Sequence, residues 1–161
     1  MGKELEVLVN KVNLRVDLNL SLLVICFTIF TLIIAINPLI LKKNTILTAE
    51  LVLAIPLLIS SSFARIRMIY SNKREVWNNF GFVTFILAYG FVINVIGMFL
   101  TFLIGLKISM LFFVANILSA ISYSLIEIIE NKGKVISRFY KDLFFIVTLI
   151  LGGIIPSIRS Y

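Results

Sequence analysis

Residues Tyr89 to Thr101 read YGFVINVIGMFLT, an apolar run interrupted by the amide side chain of Asn94. The run belongs to a longer apolar segment, residues 80–104, which is long enough to cross a lipid bilayer, because a spanning helix needs about 20 predominantly apolar residues. An amide in hydrocarbon needs a hydrogen-bond partner on a neighbouring helix. Asn94 therefore predicts a helix that packs against another helix as well as spanning a membrane.

The rest of the chain has the same apolar character. Of its 161 residues, 60% are hydrophobic and 14% are charged, and the mean hydropathy is +1.08. This composition excludes a soluble domain with a polar exterior. It predicts an all-α protein, a polytopic helical bundle in a cell membrane. Four apolar runs are long enough to span and a fifth is marginal, with approximate bounds 18–41, 46–63, 80–104, 108–128 and 143–158.

The fifth run has a length that leaves two interpretations open. Its roughly 16 residues would measure roughly 24 Å as a helix, against about 30 Å for a typical hydrocarbon core. Its second half contains Gly152, Gly153 and Pro156. The run predicts either a fifth span or a segment that enters the membrane and turns back at the glycine pair, and we expect the span.

Residues 1–17 have a different pattern from the bundle of residues 18–161. The apolar side chains recur at helical spacing, with lysine, glutamate and asparagine elsewhere on the helical wheel; the apolar set is Leu5, Leu8, Val9, Val12 and Val16. This periodicity predicts an amphipathic helix lying on the cytoplasmic membrane surface. The alternative is a short disordered leader.

The orientation of the bundle follows from the cations in its loops. Eleven lysines and arginines fall on one side, namely Lys3, Lys11, Arg15, Arg65, Arg67, Lys73, Arg74, Lys132, Lys134, Arg138 and Lys141. Only Lys42, Lys43 and Lys107 fall in the loops of the other side. The positive-inside rule therefore predicts a multi-pass protein of the plasma or inner membrane with a cytoplasmic N-terminus.

Two stripes of small and polar residues follow the third and fourth spans at helical spacing. They consist of Gly90, Asn94, Gly97 and Thr101, and of Ser109, Asn116, Ser119 and Tyr123. Asn94 and Asn116 lie roughly 18 and 15 Å from the short turn around Gly105. One interpretation is that the two asparagines hydrogen-bond to each other, or to nearby backbone, and lock a helical hairpin. The other is that both stripes face a polar cavity or pore.

The second span adds three candidates for a cavity or a gate: Glu50, Pro56 and Ser61. Glu50 is either a helix-start carboxylate favoured by the helix dipole or an ion-attracting group. Pro56 removes a backbone donor, and the serines after it can bond to the carbonyl groups that the kink frees. In the fourth span, Glu127 predicts an ion pair with Lys132 or Lys134.

Catalytic and metal-binding parts are missing from the sequence. The chain has no histidine and one cysteine, Cys26, inside an apolar run. Zinc sites, histidine-assisted nucleophiles and disulfide frameworks are thereby excluded, and there is no phosphate-binding glycine loop. We expect no cofactor and no enzymatic activity. The net charge of +7 comes from short clusters between apolar runs, which indicate topology rather than nucleic-acid binding.

Three functions fit this inventory. The first is a channel or transporter-like subunit, which at this size would act as a homo-oligomer. The second is a non-catalytic anchor or adaptor that holds a cytoplasmic protein through its basic loops, Arg65–Arg74 and Lys132–Lys141. The third is a stress or defence effector that permeabilises its own membrane. The usage of isoleucine, lysine and asparagine is compatible with a prokaryotic A+T-rich genome.

Overall fold

The computed structural model describes the backbone of residues 2–130 and 135–160, and the side chains of residues 6–129 and 139–159. The described part of the chain is almost entirely helical and contains no strand. The elements in chain order are α1 (Gly2–Ile36), α2 (Leu39–Lys43), α3 (Thr45–Tyr70), α4 (Arg74–Leu103), α5 (Leu106–Glu130), α6 (Val135–Leu149), a π-helical turn (Ile150–Ile154) and α7 (Ile155–Ser160). The prediction of an all-α bundle is confirmed.

Within the described residues, five helical segments are long and apolar enough to cross a membrane: Glu6–Ile36, Thr45–Tyr70, Arg74–Leu103, Leu106–Ile129 and Phe139–Arg159. The fifth segment has 21 residues, more than the sequence pattern gave it. It is longer because the helix begins before the apolar run and continues through the glycine pair as a π turn. The chain therefore does not turn back at Gly152 and Gly153.

The first helix differs from the sequence pattern in two ways. It runs without a break through residue 17, where we expected a separate surface helix to end, and Val12 is buried against the bundle. It also stops at Ile36 rather than at Leu41, because Pro38 restricts the residue before it and the short helix α2 follows. Placement of residues 1–17 on a membrane surface stays a prediction.

Helix α4 occupies the centre of the bundle and contacts α1, α3, α5, α6 and α7. Its sequence is apolar on all sides, which is typical of a helix surrounded by other helices. One apolar cluster joins it to α1 and α3 and includes Cys26, Leu51 and Val95. A second joins it to α5 and α6 and includes Ile93 and Phe113.

The connection between α4 and α5 is as short as predicted. Gly105 has a φ of 111°, a conformation that glycine adopts at little cost, and its amide donates to Leu100 O at 3.2 Å. The same oxygen also accepts from the Ile104 amide at 2.9 Å, so α4 ends here and the chain reverses at once. Helices α4 and α5 are therefore antiparallel neighbours.

Candidate functional site

The amide of Asn94 bonds to two helices at once. Its Nδ2 donates to Glu50 Oε1 on α3 at 3.0 Å and to the main-chain oxygen of Thr148 on α6 at 3.1 Å. Asn94 is 0% exposed and Glu50 is 6% exposed. The two side chains, which the sequence analysis treated separately, therefore form one buried polar pair at the junction of α3, α4 and α6.

The predicted bond between Asn94 and Asn116 is wrong, whereas the alternative, bonds to nearby main-chain oxygens, is found for both side chains. Asn116 donates to Phe112 O, one turn back in its own helix, at 2.9 Å. The depths of the two asparagines match, but Asn94 faces α3 and α6 rather than α5. The hairpin is instead held where Ser109 Oγ donates to Gly97 O at 2.7 Å. The ring of Phe113 lies where a Cβ on Gly97 would be, so the small residue permits this close approach.

The glycine pair of the π turn lies directly against Glu50 and Asn94. A Cβ on Gly152 would overlap Glu50 Oε1, and a Cβ on Gly153 would overlap Asn94 Oδ1. In the turn itself, the Ile155 amide donates to Ile150 O, five residues back, so the α-helical register is interrupted. Single π turns inside α-helices occur frequently at functional sites. Here the turn places the main chain of two glycines, which have no side chains, next to a buried carboxyl group.

Two acceptor oxygens of the pair have no hydrogen-bond partner among the described residues: Glu50 Oε2 and Asn94 Oδ1. Glu50 also makes no ion pair with any of the described residues. An ionised carboxylate buried without a compensating charge costs much free energy. The arrangement is therefore suited to hold a proton on the carboxyl group or a small cation among its oxygen atoms, which are the ligands that hard cations prefer.

The site lies off centre along the bundle, towards the end at which α3 begins. Glu50 is about 8 Å along the axis from the start of α3, and Asn94 is about 14 Å from the end of α4. Gly152 is about 11 Å from Arg159 near the chain end. Three helices thus place polar groups at similar depth.

The remaining residues of the α4 stripe also serve packing. Gly90 contacts Thr148 Cγ2, so it lets α6 approach beside Asn94. Thr101 is buried, and its Oγ1 donates to Gly97 O at 3.2 Å in its own helix. The stripe is buried throughout, and Asn94 is the member that bonds to another helix through its side chain.

The second half of the α5 stripe does not pack on α4 but lines a cleft. Asn116, Ser119 and Tyr123 face a cavity of about 420 Å³ between α4, α5 and the start of the last helix. The same cavity is lined by Tyr89, Lys141, Asp142 and Phe145. It is therefore a partly polar cleft, whereas Ser109 at the other end of the stripe is fully buried.

Two stacked aromatic rings line the cleft. The rings of Tyr89 and Phe145 stack with centroids 5.7 Å apart, and both residues line the cleft. In the chain, Tyr89 precedes Gly90, and Phe145 lies one helical turn before the Thr148 carbonyl that Asn94 binds. The stacked rings thus belong to the cleft wall and lie on the helical turns next to Gly90 and Thr148.

Pro56 and Ser61 are not part of this site. Pro56 is exposed on the outer side of α3. Ser61 is buried, but its Oγ donates to Gly81 O of α4 at 2.7 Å, about 16 Å along α3 from Glu50. Ser62 Oγ bonds to Leu58 O rather than to the carbonyl that Pro56 leaves free. Ser61 thus links α3 to α4, and Ser62 bonds within its own helix.

Sequence reasoning missed Thr148, Gly152 and Gly153 as parts of the site. The glycine pair did stand out, but as a break in a short apolar run. The signal that could have identified it is depth, because Glu50, Asn94 and the pair lie at similar distances from one end of their spans.

Lys132 and Lys134, the predicted partners of Glu127, lie outside the described residues.

Within residues 6–129 and 139–159, three or more histidine, cysteine, aspartate or glutamate side chains nowhere form a group that could hold a metal ion. Comparison of the chain with protein-family models, with curated proteins and with solved structures finds no match. The chemistry of the Glu50–Asn94 pair is therefore the starting point for the function.

Proposed function

We propose that the protein is a multi-pass membrane protein and a subunit of a channel or transporter for protons or small monovalent cations. The observation that carries the proposal is the buried Glu50 carboxyl group, bonded to Asn94 and packed against a glycine-containing π turn. An ionisable group within a membrane-spanning bundle is costly and marks ion or proton pathways.

Membrane placement is supported by the outer surface of the bundle. Large apolar side chains are exposed along α1 and α5, for example Val24, Phe27, Leu111 and Ile129. A contiguous apolar exterior of this kind would aggregate in water and is solvated by lipid chains. The lysine and arginine asymmetry of the loops favours a cytoplasmic N-terminus.

A two-sided arrangement supports transport over a purely structural role. On the proposed orientation, the Glu50–Asn94 pair lies in the outer half of the bilayer, and the cleft lined by Asn116, Ser119 and Lys141 opens towards the cytoplasmic half. The stacked rings of Tyr89 and Phe145 line this cleft, and we propose that they close it towards the pair. A proton or cation at Glu50 would reach the cytoplasmic side through this cleft after the rings move.

We propose a homo-oligomer, because a chain with five candidate spans is too small to enclose a sizeable pathway alone. Helix α5 is the least buried of the five candidate spans. Its exposed apolar face offers a surface for a second copy or for lipid.

The test is gradient dissipation in liposomes. Reconstituted protein should collapse an imposed gradient of protons, Na⁺ or K⁺ faster than empty liposomes do, and Glu50→Gln should slow this by about tenfold or more. Glu75→Gln, which neutralises an exposed carboxylate at the start of α4, is the matched control and should retain the flux.

Two results would reject the proposal. The first is that liposomes containing wild-type protein hold all three gradients, which would mean that the protein transports none of these ions. The second is equal flux through Glu50→Gln and Glu75→Gln, which would mean that transport does not depend on Glu50. Leakage of a large dye that Glu50→Gln does not alter would favour the membrane-permeabilising effector. Impermeable liposomes together with a co-purifying cytoplasmic protein would favour the adaptor.

A further inference from the structure

Two arginines from different helices converge on one amide at the opposite end of the bundle from Glu50. Arg15 Nη1 on α1 donates to Asn78 Oδ1 at 3.2 Å, and Arg65 Nη1 on α3 donates to the same oxygen at 2.5 Å. Arg65 also donates to the Asn78 main-chain oxygen at 3.3 Å. Because both Nη1 atoms bond one oxygen, they lie within about 6 Å of each other.

The charges of this cluster are not balanced by the described residues. Arg65 is only 4% exposed, and neither guanidinium forms an ion pair with any residue of the described ranges. Their shared partner, Asn78, is neutral. Two like charges held close together in a poorly solvated site repel each other, and an anion between them removes both the repulsion and the cost of burial.

A cavity of about 190 Å³ adjoins the arginine pair. Arg15, Asn19, Ser61 and Arg65 form its polar lining, and Phe82 and Phe85 contribute to its apolar lining. Asn19 donates to Ser62 Oγ at 2.9 Å, whereas its Oδ1 is buried and has no hydrogen-bond partner among the described residues. The cavity thus combines guanidinium donors with an unused buried acceptor, a set that suits a phosphate bearing a hydroxyl or amine.

The cluster lies near the ends of its helices. Arg65 is five residues before the end of α3, and Asn78 is four residues after the start of α4, or about 8 and 6 Å along the helix axes. Helix α4 has 30 residues and measures about 45 Å, which matches a bilayer including its headgroup layers. On the proposed membrane placement, the arginine pair lies at the level of lipid phosphates.

We infer that Arg15 and Arg65 form a binding site for a phosphate group, with Asn78 holding the two guanidinium groups in position. Guanidinium groups bind phosphate oxygens through paired, charge-assisted hydrogen bonds, which lysine cannot reproduce. The phosphate can come from a phospholipid headgroup or from a free phosphate ion, since both present the same oxygens. The inference uses the proposed membrane placement but does not depend on transport.

The experiment measures binding to the full chain in a phosphate-free maltoside detergent. Native mass spectrometry and thermal unfolding are recorded with phosphatidylglycerol, with diacylglycerol of the same acyl chains, and with inorganic phosphate against chloride at equal ionic strength. Wild-type protein should bind phosphatidylglycerol and show a raised unfolding temperature, while diacylglycerol should have neither effect. A response to inorganic phosphate alone would identify the free ion as the source.

Arg67→Gln is the matched control, because Arg67 is exposed two residues further along α3 and the change in charge is the same. Arg15→Gln and Arg65→Gln should weaken phosphate binding by about tenfold or more, and Arg67→Gln should not. If Arg65→Gln does not fold, the half-buried Arg15 carries the test. The inference is overturned if neither phosphate compound binds, or if Arg67→Gln weakens binding as much as Arg15→Gln does.

Discussion

Asn94 Nδ2 lies 3.0 Å from Glu50 Oε1, and this bond connects residues that are 44 positions apart in the chain. Both side chains are buried, so neither can exchange its partner for water. Loss of either group leaves the other without its bond inside the bundle, which costs more than the bond itself contributes. The energetic coupling of the two residues can therefore be measured.

Asn94→Leu should destabilise the bundle by about 1 to 3 kcal/mol, because Glu50 would stay buried without its donor. Asn116→Leu should cost less than about 1 kcal/mol, since Asn116 is half-buried and bonds to its own helix. Unfolding in mixed detergent micelles gives both values.

The double variant of Asn94 and Asn116 should be additive within about 0.5 kcal/mol, whereas Asn94→Leu combined with Glu50→Leu should be less destabilising than the sum by about 0.5 to 3 kcal/mol. Strong coupling of Asn94 to Asn116 would instead restore the interaction that the sequence pattern suggested.

Gly152→Ala should destabilise the bundle by about 1 to 3 kcal/mol, because the added methyl group overlaps the Glu50 carboxyl group and the Asn94 amide. Combining it with Glu50→Ala should remove only part of that cost, since the overlap with Asn94 stays. The same unfolding assay compares the single and double variants. If Gly152→Ala leaves stability unchanged, the glycine does not pack against Glu50.

Ser109→Ala should cost about 0.5 to 1.5 kcal/mol, because it removes the 2.7 Å bond to Gly97 O in a buried contact between α4 and α5. Ser119→Ala on the same helix is the control and should change stability by less than about 0.5 kcal/mol, since Ser119 is exposed. Equal effects at the two serines would mean that the close approach of α4 and α5 does not depend on this bond.

Cysteines introduced at Lys43 and Lys107 should react with a membrane-impermeant thiol reagent added from outside the cell, and cysteines at Lys73 and Lys134 should not. Cys26→Ala provides the background, although the native thiol is buried. Labelling of whole cells and of lysed cells gives the comparison. The reverse pattern would invert the proposed orientation and place Glu50 near the cytoplasm.

The helices were predictable from the sequence because hydropathy and length depend on each segment alone. The hairpin at Gly105 was also predictable, because two helices joined by so short a turn must pack side by side. Glu50 and Asn94 each stood out as a polar residue in an apolar run.

The pairing was not predictable, because it depends on the rotation of α4 about its axis and on which helices surround it. Depth placed Asn94 level with Asn116, yet its side chain points to α3 and α6. The sequence pattern assigned the partner of Asn94 to α5, the next helix along the chain, although the side chain bonds to α3 and α6. The π turn carried no signal of its own, since a glycine pair in a short apolar run also fits a break.

The π turn at Ile150–Ile154 also determines how the end of the chain can change in length. An α-helix rotates by about 100° per residue, and a π turn corresponds to one residue inserted into it. A chain lacking one residue there would close into a regular helix, and α7 would rotate by that angle relative to α6. Ser157, now buried, would leave its present face, and the glycines would no longer both face Glu50 and Asn94. This segment should therefore tolerate substitution at its exposed positions far better than the deletion of a single residue.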